Sequence, residues 1–197
     1  MSTQFNDLQL DALRELANIG SGNASTALSG MLGRPVDISV PVASALPLAD
    51  AVEAIGDAES EVTGVMLGIV GELTGSVILL VSPDDAATLC NMLGVDVDSE
   101  WGLSALGEIG NIVGASYINA LAVMTGFAME PTPPSTTTDM LGAIVASALA
   151  EHADGTDVAL VLDSEMSVEG DDCEICFLLI PRAGGVKELL ARLGIDS

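Results

Sequence analysis

The sequence predicts an α+β fold: a pseudo-twofold duplicated αβαββα unit sharing a largely antiparallel six-stranded sheet, with helices packed on it. Three observations predict it. A 31-residue segment recurs at a constant offset of 93. The patterns that follow each copy come in the same order. Each half alone offers about three strands, too few to bury both faces of a sheet. A single domain is therefore expected over residues 1–197, with internal repeats at approximately 6–94 and 99–194.

Setting Asp11–Pro41 beneath Ser104–Pro134 gives ten identities in 31 positions: Ala12/Ala105, Leu13/Leu106, Glu15/Glu108, Asn18/Asn111, Ile19/Ile112, Ala27/Ala120, Leu28/Leu121, Met31/Met124, Gly33/Gly126 and Pro41/Pro134. Alanine and leucine could coincide by composition. Glutamate, asparagine and proline at one offset are much harder to obtain by chance. The first helix has a capping-box start at Asn6 with Gln9 three residues on. A short extended stretch follows each long helix (Val36–Val40; Phe127–Glu130), then an alanine-rich helical segment (Ala45–Ile55; Asp139–His152). Two β-rich runs come next, Val62–Val70 with Leu73–Val81, and Val158–Val168 with Glu174–Ile180. A closing amphipathic helix (Asp84–Leu93; Val186–Leu193) ends in Leu-Gly both times, and glycine suits a helix C-terminus. The acidic Val95–Glu100 is the one linker candidate.

Helical periodicity sorts the first helix of each unit into two faces. Leu13, Leu16, Ala17, Gly20, Ala24, Ala27, Leu28 and Met31 are expected inward, as are Leu106, Ile109, Gly110, Val113, Tyr117, Ala120, Leu121 and Met124. Opposite run Asp11, Glu15, Asn18 and Gly22, and again Ser104, Glu108, Asn111 and Ala115. In so acidic a chain an ordinary solvated face would be crowded with carboxylates. Here one carboxylate and one amide stand a turn apart, twice. The small Gly22 and Ala115 leave room for another molecule, and Ile19 and Ile112 add apolar surface beside the stripe.

This pattern, Asp/Ser-x3-Glu-x2-Asn-x22-Pro, resembles the signature of the CheC/CheX/FliY phosphatases of chemotaxis. It reads Asp11, Glu15, Asn18, Pro41 and again Ser104, Glu108, Asn111, Pro134. Two complete motifs resemble the CheC type, and the resemblance covers essentially the whole chain. FliY-type members carry a further switch-binding domain, which is not expected in these 197 residues. The resemblance implies hydrolysis of the aspartyl phosphate of the response regulator CheY. Asn18 and Asn111 would enter the regulator's site and place water, and Glu15 and Glu108 would anchor the complex on a lysine there. Asp11 and Ser104 would support helix or docking geometry, Pro41 and Pro134 the adjoining turn, and Ile19, Gly22, Ile112 and Ala115 partner contact. No cofactor of its own is expected, Mg²⁺ being held by the regulator. The family also implies CheD and motility-switch proteins as partners, and a non-catalytic adaptor for phosphorylated CheY or CheD is the alternative role. A neutral amide is no general base, but it can orient a water, as the phosphoryl-transfer template requires.

Composition bounds the remainder. Hydrophobic residues make up 49%, enough for a core. Against 29 acidic residues stand only Arg14, Arg34, Arg182, Lys187 and Arg192, giving a formal charge of −24. Nucleic acid and anionic membranes are excluded as partners, since both need a basic footprint. So large an excess predicts adaptation to high cytoplasmic salt, as in a halophile, because molar salt screens the self-repulsion. The N-terminus lacks a signal peptide's basic flank and apolar stretch, and the apolar run Met140–Ala150 is too short to span a bilayer, so a cytoplasmic location is expected. Gly20–Ser25 has neither the preceding strand nor the Lys-Ser/Thr ending of a phosphate loop. Cys173 and Cys176 lie three apart in a β-rich run and should face opposite sides. Metal ligation is not expected of them, and His152 reads as a helix-terminal surface residue.

Overall fold

The computed structural model describes residues 6–150, 158–168 and 171–195, with the backbone alone at 41–43 and 48–49. His152 lies outside the described residues. The elements are α1 (Asp7–Leu32), β1 (Val36–Leu46), α2 (Leu48–Ile55), β2 (Glu61–Gly71), β3 (Gly75–Val81), α3 (Pro83–Met92), α4 (Gly102–Thr125), β4 (Met129–Pro131), β5 (Ser135–Met140), α5 (Leu141–Ala150), β6 (Ala159–Val168), β7 (Asp171–Pro181) and α6 (Gly185–Arg192).

Helix α1 starts at the expected capping box. The Asn6 side chain accepts from the Gln9 amide while the Gln9 side chain accepts from the Asn6 amide, both at 2.9 Å. Helices α1 and α4 end alike, on Gly33 (φ 65°) and Gly126 (φ 71°), left-handed positions that a residue without Cβ adopts freely.

One sheet runs β1-β6-β7-β3-β2-β4, with β5 also on β2, and every pairing is antiparallel. The two hairpins meet at β3–β7, where Leu79 opposes Phe177. Each hairpin takes its outer neighbour from the other half of the chain: β1 lies on β6, and β4 and β5 lie on β2. Alternating strand residues feed two cores. Val65, Leu67, Leu79, Leu162 and Phe177 pack with α1, α3 and α4 on one face, whereas Ile78, Leu80, Val161 and Leu178 meet α2 and α5 on the other.

The sheet has seven strands rather than the expected six. The second half's outer strand is split around Thr132-Pro133-Pro134, because prolines have no N–H to give a ladder. Two helices also start later than expected. Residues 45 and 46 belong to β1, paired to Leu160 and Ala159, and α2 begins only after Pro47. Asp139 and Met140 belong to β5, paired to Val62 and Glu61. Ladder hydrogen bonds outweigh alanine's helix propensity there.

Ala27 and Met31, expected inward, are exposed. The last turns of α1 lean over the sheet's edge instead of its middle, which rotates the covered stripe toward Ser21, Ala24 and Leu28. In that position Ser25 and Ser29 accept hydrogen bonds from the β1 amides of Ile38 and Val36, at 3.0 and 2.9 Å. A potentially sticky edge is thereby closed by the protein's own helix.

Candidate functional site

Helices α1 and α4 pack against each other, and α4 also lies against β2 and β3. Glycine permits this closeness. A Cβ at Gly20 would fall 2.5 Å from the Tyr117 ring, and one at Gly110 would fall 2.5 Å from Val65. Gly20–Ser25 is therefore helix interior, with Gly20 serving the helix crossing. Tyr117 stacks on Phe177 with ring centroids 4.2 Å apart.

With inner faces so engaged, the opposite stripes are turned outward. Asp11, Glu15, Asn18 and Gly22 are exposed on α1; on α4, Ser104 and Glu108 are exposed while Asn111 and Ala115 are half-buried. Ile19 and Ile112 are half-buried against the core, so only part of each is free to meet a partner. Asp11 holds Arg14 at 2.9 Å, both well exposed. Among the described residues, the side chains of Glu15, Asn18, Glu108 and Asn111 have no hydrogen-bond or ion-pair partner. Each stripe thus offers an acceptor and an amide with their bonding capacity unspent.

The motif prolines occupy corresponding interruptions. Pro41 falls where the β1–β6 register shifts between Ser39 and Val42, and Pro134 falls in the gap between β4 and β5. Proline belongs at such bulges because it cannot donate to the ladder. Pro41 lies on β1, which α1 flanks, and Pro134 joins β4 to β5, which α4 flanks.

Two clefts lie elsewhere. Volumes of about 360 and 600 Å³ are lined by acidic residues of β6, β7 and the start of α3, among them Asp85, Glu165 and Glu174, and by none of the motif residues. Among the described residues no cluster of three or more His, Cys, Asp or Glu is arranged to hold a metal. Cys173 and Cys176 do face opposite sides, in the two different cores. Burial, reinforced by nearby Asp85 and Asp172, pushes the Cys173 thiol up to about 12. Burial beside Asp163 raises Cys176 further still, so neither offers a thiolate near neutrality. No described helix is long and apolar enough to cross a membrane.

The 93-residue correspondence also extends one turn upstream of Asp11 and Ser104. It pairs Leu8 with Trp101, which are 63% and 65% exposed.

The CheC-like family model matches residues 8–44 and 102–137, the two segments carrying the stripes and the prolines. The chain is 31% identical over 196 residues to the CheY-P phosphatase CheC of Bacillus subtilis, covering 94% of each protein. It belongs to the CheC-like family. Another relative is the flagellar motor switch phosphatase FliY of B. subtilis, 28% identical over 138 residues, 66% of this chain but 35% of that protein. Among solved structures, Thermotoga maritima FliY superposes with a TM-score of 0.77 at 21% identity, over 98% of this chain and 99% of that one. This member of the family thus shares its α+β fold with FliY and carries both motif copies on solvent-facing helices.

Proposed function

We propose that the chain is a CheC-type phosphatase that hydrolyses the aspartyl phosphate of a CheY-class response regulator at two sites, one on α1 and one on α4. The observation that carries this reading is the pair of outward Glu/Asn stripes whose polar side chains have no partner among the described residues. Buried or mutually bonded side chains could not serve an incoming molecule.

The chemistry asked of the chain is modest. An acyl phosphate is an activated donor with a good carboxylate leaving group, and the regulator holds the Mg²⁺. Asn18 or Asn111 orients a water for in-line attack. The water oxygen bonds to phosphorus, the bond from phosphorus to the aspartyl oxygen breaks, and inorganic phosphate leaves with the aspartate regenerated. Orientation alone is worth several kcal/mol in favourable cases. Glu15 or Glu108 fixes the complex by pairing with a lysine of the regulator, a charge-assisted contact.

The test is phosphate release from phosphorylated regulator in molar salt, with Asn18→Ala, Asn111→Ala and the double variant. Each single variant should retain the other site's activity. The double variant should fall about a hundredfold or more, toward the regulator's own decay, while still binding it. Unchanged decay in all three would replace the phosphatase by an adaptor that binds without hydrolysis.

A further inference from the structure

We propose that Trp101, with Leu8 as its counterpart, is a docking anchor that grips the response regulator beside each Glu/Asn stripe, and that the larger indole makes the α4 site the tighter of the two. This rests on the phosphatase reading, whose partner it takes over.

Single exposed apolar residues are ordinary on protein surfaces and need no explanation. What distinguishes these two is correspondence. The large apolar residues exposed among those described are Leu8, Met31, Val70, Trp101, Leu103, Val123 and Met140. Only Leu8 and Trp101 stand at the 93-residue offset from one another. Met31 has as its counterpart the half-buried Met124, and Leu103 the half-buried Leu10.

Their placement points the same way. Leu8 precedes Asp11 by three residues and Glu15 by seven, and Trp101 stands likewise to Ser104 and Glu108. Those spacings put each on the face that carries its stripe. Trp101 caps the start of α4 with right-handed helical backbone (φ −89°, ψ −15°), so the helical spacing extends through it. A tryptophan kept 65% exposed, in a chain with one tryptophan and 3% aromatic residues, is not core that happened to reach the surface.

Electrostatics adds a reason for such an anchor. A chain of charge −24 must approach a phosphorylated, anionic surface, and long-range Coulomb steering works against it. Salt that screens this repulsion also weakens the exposed Glu–Lys contact. Apolar contact is insensitive to both effects. A flat, rigid indole is the side chain most often found as such an anchor. Around α1 lie Asp7, Asp11 and Glu15 with Arg14 paired to Asp11, and the corresponding turns of α4 carry Glu100, Ser104 and Glu108, so the two sites have the same local net charge and the indole is what favours α4.

The test uses the full chain labelled with 5-fluorotryptophan, which gives one fluorine resonance, and a CheY-class regulator charged with beryllofluoride and Mg²⁺ in molar salt. Binding should shift that resonance. Trp101→Ala should weaken the complex about tenfold to thirtyfold, with Trp101→Phe in between and Leu8→Ala having a smaller effect. Circular dichroism and the melting temperature should stay unchanged in all three, since the replaced side chains are exposed. Unaltered affinity of Trp101→Ala for the regulator overturns the anchor, and so does an unshifted resonance in the labelled unmutated chain when it binds; if the Asn18/Asn111 double variant has meanwhile lost hydrolysis, the phosphatase reading stands. A regulator that neither binds the unmutated chain nor loses phosphate to it overturns both.

Discussion

The α1–β1 half and the α4–β4–β5 half present the same outer stripe but are tied to the sheet by different means. In the first, one strand runs unbroken in outline through Pro41, and the serines of α1 close its edge. In the second, prolines split the strand, and Thr132 bridges the break by exchanging hydrogen bonds with Gly68, its amide donating to the carbonyl and its hydroxyl accepting from the amide. The positions corresponding to Ser25 and Ser29 are Ile118 and Ala122, which have no hydroxyl. At the crossing, Gly20 yields space and Tyr117 fills it. The comparison teaches that inner faces can be rebuilt residue by residue, provided the outward carboxylate and amide keep their places.

The largest stability effect should come from abolishing the glycine–tyrosine asymmetry. Gly20→Ala places a methyl into a ring already stacked on Phe177, and overpacking of this kind costs about 1–3 kcal/mol. Gly22→Ala is the contrasting control. Its Cβ meets nothing within 4 Å, its counterpart is Ala115, and it should gain about 0.5–1 kcal/mol from helix propensity. Denaturant titration of both variants decides; equal effects of the two would show that the crossing is loose.

Next comes the edge closure. Ser25→Ala and Ser29→Ala each leave a β1 amide without its hydroxyl partner and should cost about 1 kcal/mol apiece. Amide exchange at Ile38 and Val36 should accelerate, with β4 and β5 unaffected. Acceleration in both outer strands would mean that the two edges open together.

The smallest effect concerns Tyr117. Its hydroxyl is buried without a hydrogen-bond partner among the described residues, and burial pushes its pKa up to about 12. The folded state therefore keeps the phenol proton where the unfolded chain, near pH 10, releases it. That contribution is complete below pH 10 and is lost as pH rises toward 12. Tyr117→Phe should raise stability by about 1 kcal/mol at neutral pH and flatten the alkaline limb between pH 10 and 12. An alkaline limb identical to that of the unmutated protein would assign it to the buried thiols instead.

Much of the site was legible because its spacing is helical. Glu15, Asn18, Glu108 and Asn111 fall on one face at about 100° per residue wherever the helix packs, so periodicity places them without any knowledge of the sheet. The capping box and the glycine ends were equally local signals. The exchange of outer strands was not legible, since nothing in β1 names β6 over β2 as its neighbour, and both are apolar strands of similar length. Nor was the rotation of α1 that exposes Ala27 and Met31, because it follows from the edge the helix covers. Leu8 and Trp101 carry no such signal, since a lone apolar residue at a helix start reads equally well as core or as surface until its exposure is known.

The crossed placement of the outer strands has a consequence for biosynthesis. Val36 finds its partner at Val168, so the N-terminal strand waits on the ribosome until most of the chain has emerged. Neither half can complete its own sheet in the interval, and such long-range pairing is slow and exposed to aggregation. The molecule should therefore acquire both working faces late and together, without passing through a stage that carries one finished face alone.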